Sequence, residues 1–131
     1  MQWCVTHRVL YSSFFDKLKP TDLPQWIAEF REYITTTSAS KIHLIVDLSE
    51  DMTRRAKPKD LQNMLSNHAR TGKVDQIIII ARNSALYETL KSTVGEYHPN
   101  TRIAASFESA VNYLKLIDAS LHDVEWLEIE T

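Results

Sequence analysis

Apolar positions in this chain change period several times, and each change marks an element. Trp3, Val5, Val9, Tyr11 and Phe15 fall among polar neighbours in patchy alternation on either side of His7-Arg8, which predicts two short strands joined by a tight turn. After a loop from Asp16 to Pro20, the period lengthens. Leu23, Trp26, Ile27, Phe30 and Ile34 recur at helical spacing behind Asp22, a capping residue, with Pro24 tolerated in the first turn. The run Thr35–Ser40 ends that helix, because short hydroxyl and β-branched residues compete for backbone hydrogen bonds. Ile42 to Leu48 then reads as a strand.

The second half repeats the scheme. Pro58 opens a helix with Leu61, Met64, Leu65 and Ala69 on one side, stopping at Gly72. Val74 to Ala81 is apolar almost throughout, the signature of a strand covered on both faces. Asn83 or Ser84 caps the next helix, which turns Leu86, Leu90 and Val94 inward. Thr101 to Ala105 is a weak strand suited to a sheet edge. Ser106 caps a last helix with Phe107, Ala110, Val111, Leu114 and Ile117 on one face. The order is β-β-α-β-α-β-α-β-α. It predicts a single α/β domain over residues 2–121 with a mostly parallel mixed sheet and right-handed crossovers. The first strand runs antiparallel to the second because their connection is so short.

Residues 122–131 form a tail in which Val124, Trp126, Leu127 and Ile129 sit among acids. Burying a tryptophan is worth roughly 2–3 kcal/mol, so docking through Trp126 is expected, on the same chain or on a second copy in a homodimer.

Composition narrows the chemistry. The chain has 131 residues, 44% hydrophobic and 24% charged, with a formal net charge of -2. One domain of that size buries a core without staples. Its overall charge gives no general attraction for nucleic acid or an anionic membrane, so no nucleic-acid partner is expected. No apolar run is long enough for a transmembrane segment, and the N-terminus lacks the pattern of a secretory signal. The single cysteine, Cys4, forms no internal disulfide and reads as a small buried hydrophobe, in keeping with a cytoplasmic protein. With only two glycines, Gly72 and Gly95, the chain builds neither a dinucleotide fingerprint nor a phosphate-cradling loop. The five histidines, His7, His43, His68, His98 and His122, lack metal-ligand spacing. No cofactor and no metal site are expected.

One feature stands out, the basic loop beyond the strand that ends at Asp47-Leu48-Ser49. Arg54, Arg55, Lys57 and Lys59 gather beside a helix start, whose amides and dipole already favour an anion. Asp47 stands where a receiver domain carries its phosphoacceptor, but the acidic pair and the lysine that such a site needs are missing. A catalytic role for Asp47 or His43 finds no assembled nucleophile, base and orienting group in the sequence, so no enzyme is expected.

The element order, the strand end Asp47-Leu48-Ser49 and the closing Ser106-Phe107-Glu108-Ser109-Ala110-Val111-Asn112-Tyr113-Leu114 resemble a STAS domain, the family of anti-sigma factor antagonists and of sulfate-transporter tails. The likeness is greatest to small bacterial STAS-like proteins of unassigned role and covers residues 2–121. It implies a non-catalytic, regulatory protein-interaction module with an unidentified protein partner. In the antagonists an Asp-Ser-Ser-Gly-Leu segment opens the helix after this strand, and its serine is the phosphoswitch. Here residues 55–59 read Arg-Ala-Lys-Pro-Lys, so the phosphoacceptor does not carry over. Ser49 and Thr53 are the nearest hydroxyls. The expected contact set is Ser49, Thr53, Arg54, Arg55, Lys57 and Lys59. The alternative is a small-ligand receptor that holds a phosphate, nucleotide or lipid headgroup on the basic loop Arg54–Lys59, a topology shared with lipid-carrying CRAL-TRIO domains.

Overall fold

The computed structural model describes residues 1–14, 22–48, 72–82, 88 and 100–127. The helices expected after Pro58 and after Ser84 lie outside the described residues, apart from helical Glu88. Strands β1 (Gln2–Val5), β2 (Val9–Phe14), β3 (Ile42–Leu48), β4 (Val74–Ala81) and β5 (Thr101–Ala104) form one sheet in the order β1-β2-β3-β4-β5. β1 is antiparallel to β2, and every other pair is parallel. The chain is therefore a mixed α/β protein with a mostly parallel sheet, as the alternation of periods predicts. The β1–β2 turn places His7 at φ 60°, and Arg8 N–H closes it on Val5 C=O at 2.9 Å.

Helix α1 (Asp22–Thr36) covers one face of the sheet and α2 (Phe107–Ile117) covers the other. The two-residue period of a strand sorts the side chains between them. In β3, Ile42, Leu44, Val46 and Leu48 pack with Trp26, Phe30 and Ile34 of α1, together with Leu10, Val74, Ile77, Ile79 and Ala81. Ile45 packs on the opposite side with Cys4, Val5, Val9, Tyr11, Ile78 and Ile80 against Ala110 and Leu114 of α2. All seven residues of β3 are buried, which is why its sequence carries apolar residues on both faces.

α2 is capped as its sequence implies. Ser106 Oγ accepts the Ser109 N–H at 3.1 Å, Glu108 lies in the first turn and Lys115 in the last, complementing the helix dipole. One residue expected on its buried face lies outside it. Ile117 is 43% exposed, because the helix ends there and the chain turns at Asp118 into the short 3-10 turn Ala119–Leu121, whose Leu121 is buried in its place. Among the described residues no helix is long and apolar enough to cross a membrane.

The described part of the tail, residues 122–127, reaches β1 and the α2-side cluster. Trp126 packs against the α2-side cluster, its Nε1–H donates to Leu121 C=O at 3.3 Å, and Leu127 N–H donates to Cys4 C=O at 2.9 Å. Lys115 Nζ sits 5.9 Å from the Trp126 ring centroid.

Candidate functional site

The C-terminal ends of parallel strands are where open α/β sheets gather their working residues. Here three neighbouring strands stop level with one another. Phe14 pairs with Leu48, and Leu48 pairs with Ala81. Arg82 leaves the sheet at that edge, one residue past the end of β4.

Asp47 is the anchor of that edge. It is 1% exposed, one residue before β3 ends, and its odd position in the strand turns it toward the α2 side. A buried carboxylate is strongly destabilising unless it is paired, and Asp47 has two partners. Tyr11 Oη–H donates to its Oδ2 at 2.6 Å, and Arg82 Nη2–H donates to the same oxygen at 2.9 Å. Oδ1 is buried without a hydrogen-bond partner among the described residues. Burial, followed by the bond to Asp47, pushes the Tyr11 phenol well above its ordinary range, so Tyr11 remains a donor across the physiological pH range. Phe107, the first residue of α2, meets the Tyr11 ring edge-on at 5.6 Å and closes the site from above. The arrangement holds a guanidinium, itself about one-third exposed, at a fixed place on the rim between β3 and β4.

A second polar cluster lies at the opposite end of the same face. His43 is 4% exposed, and its Nε2–H donates to Asp118 Oδ2 at 3.0 Å. Arg8 donates to the same carboxylate oxygen at 3.1 Å and also reaches Ser120 Oγ. The Ser120 hydroxyl and N–H both donate to Asp118 Oδ1, at 2.6 and 3.1 Å. The Ser120 hydroxyl, then His43, with Arg8 adding a smaller part, hold the Asp118 carboxyl at about 2. This cluster ties the β1–β2 turn and β3 to the end of α2.

The contact residues expected from sequence, Ser49, Thr53, Arg54, Arg55, Lys57 and Lys59, lie outside the described residues. Strand β3 ends one residue before Ser49. Asp47 was legible as a strand-end acid. Its partners Tyr11 and Arg82 were not, because they lie 36 and 35 positions away in sequence and meet it only through strand register. One signal pointed to Tyr11: it shares the alternating face of Val9 on a strand parallel to β3. Cys4 is fully buried, and desolvation pushes its thiol up to about 12, as suits a core residue rather than a nucleophile. No family model matches the chain, and no curated protein or solved structure matches it significantly.

Proposed function

We propose that this chain is a non-catalytic, STAS-like regulatory module of the cytoplasm. It engages a protein partner along the C-terminal edge of its parallel strands, through Ser49, Thr53, Arg54, Arg55, Lys57 and Lys59, and works without a phosphoswitch. The observation that carries this reading is the level ending of β2, β3 and β4, with Asp47 pinned to Tyr11 and Arg82 at the rim. Strand β3, which the basic segment follows in sequence, ends at this edge, where a cation, Arg82, is fixed. The two side chains that an enzyme would use, Asp47 and His43, are buried and engaged with Arg82 and Asp118, which favours structural roles for both.

The test is affinity capture from the native lysate with the wild type and with Arg54→Ala/Arg55→Ala. The variant should recover less of the partner, added salt should release the partner from the wild type, and stability should stay within about 0.5 kcal/mol. Equal recovery by both proteins at low salt removes the basic segment from the interface. Stoichiometric phosphate on Ser49 or Thr53 that alters capture would reinstate a switch. If instead the purified wild type binds inorganic phosphate or phosphoinositide vesicles and the variant does not, the small-ligand receptor is the better reading.

A further inference from the structure

Strand β5 forms the edge of the sheet opposite β1. β5 ends the strand order, so its outer side carries no strand among the described residues. The phase of the ladder decides which main-chain groups that side presents. Thr101 lies opposite Ile77, and Ile77 N–H donates to Asn100 C=O at 3.1 Å. In a parallel ladder each residue bonds to the two positions flanking its partner, so Asn100 and Arg102 face β4. The N–H and C=O groups of Thr101 and Ile103 point the other way. An edge of this kind is a template for another extended chain.

Beside that edge, between β5 and α2, lies a cleft of about 440 Å³, within the size range of ligand sites. Ile78 and Ala104 give it an apolar floor, and Ser109 and Tyr113 of α2 form the opposite wall. Arg102 stands at its mouth, exposed. Its Nε–H donates to Tyr113 Oη at 3.2 Å and its guanidinium lies 5.7 Å from the Tyr113 ring centroid. No carboxylate among the described residues is within ion-pair distance of Arg102.

We propose that the β5–α2 cleft binds an extended, acidic segment of a partner protein, which adds a strand outside β5 and sets a carboxylate on Arg102. Main-chain bonds to Thr101 and Ile103 supply affinity, while the small Ala104 and the Arg102 charge select the side chains. The occupant is a separate protein rather than a second copy. The described part of the chain's own acidic, alternating tail is engaged elsewhere, through Leu127 on Cys4 at the opposite edge of the sheet.

The test titrates the isotope-labelled full chain with a short alternating Glu/Val peptide and with its Lys/Val counterpart. Amide exchange should slow at Thr101 and Ile103 with the acidic peptide alone. Arg102→Glu, at an exposed site, should leave folding intact and weaken binding by at least about tenfold. Thr101→Pro removes an outward N–H at the first residue of an edge strand, where proline is tolerated, and should abolish the protection. Arg54→Ala/Arg55→Ala should bind the peptide like the wild type, which separates this surface from the one proposed above. Unchanged exchange at Thr101 and Ile103, or equal binding of the two peptides, overturns the proposal. Protection of the same amides on concentrating the chain alone also overturns it, assigning the edge to self-association.

Discussion

On the α1 side of the sheet, Trp26, Phe30 and Ile34 meet Leu10, Ile42, Leu44, Val46 and Leu48, and Trp26 Nε1–H donates to Ser12 Oγ at 2.6 Å within that apolar layer. The α2 side is built from the same strands but buries Cys4, Tyr11, His43 and Asp47 among its apolar residues. Alternation within β3 makes the division: even positions go to the first face and odd positions to the second. One face therefore draws its stability from area removed from water. The other adds ionisable groups, and Asp47 and His43 among them are held by specific partners, Tyr11 and Arg82 for one and Asp118 for the other, near opposite ends of the sheet. The difference shows how one strand supplies a core and positions a rim without conflict between the two.

The largest effect should come from the dry face. Phe30, 1% exposed, stacks on Trp26 at 5.7 Å, so Phe30→Ala should destabilise by about 3–5 kcal/mol, read by denaturant melts. The loss should be nearly the same from pH 5 to pH 8, since no titrating group is involved. A strongly pH-dependent loss would break the division between the faces.

On the other face, Arg82→Ala should destabilise by about 3 kcal/mol by leaving a buried carboxylate without its cation. In an Asp47→Asn background the same substitution should have little effect. A double-mutant cycle measures this. Additive losses would mean that Arg82 is a surface side chain and that the rim is not held by Asp47.

The acid and alkaline limbs sharpen the comparison. Asp118 is depressed to about 2, so its contribution is complete above the ordinary carboxylate range and is lost as pH falls from about 4 toward 2. Cys4 and Tyr11 are raised, so their contributions are complete below their ordinary values. They are lost as pH rises, beginning near 9 for Cys4 and, for Tyr11, near 10. Cys4→Ala combined with Tyr11→Phe should flatten the alkaline limb of a stability–pH curve. An alkaline limb that survives both substitutions would place its origin elsewhere.

The smallest effect belongs outside both faces. Leu116, on α2, is 82% exposed, and Leu116→Gln should change stability by no more than about 0.5 kcal/mol. A larger loss of melting temperature, or a shift in mass in solution, would show that this side of α2 is covered in solution.

Among the described residues, element type and order were legible because each element carries its own period. The β3 and β4 runs, the Ser106 cap and the α1 stripe of Trp26, Phe30 and Ile34 all arise from local chemistry. Ile117 was misplaced because helical spacing does not say where a helix runs out of sheet to cover. The site was legible only as far as Asp47 and the basic segment after it. The Asp47–Arg82 and His43–Asp118 pairs join residues 35 and 75 positions apart, and no period in the sequence encodes which acid meets which base.

By itself, then, the sequence determined the elements seen among the described residues, the two-faced burial of β4, and a basic segment following a strand end. Local propensity and amphipathic period are properties of neighbouring residues. The tertiary structure alone decided the strand order, which face received the ionisable groups, and the level strand ends that set Arg82 beside the end of β3. Those depend on the register between strands distant in the chain, which is fixed only when the whole sheet assembles.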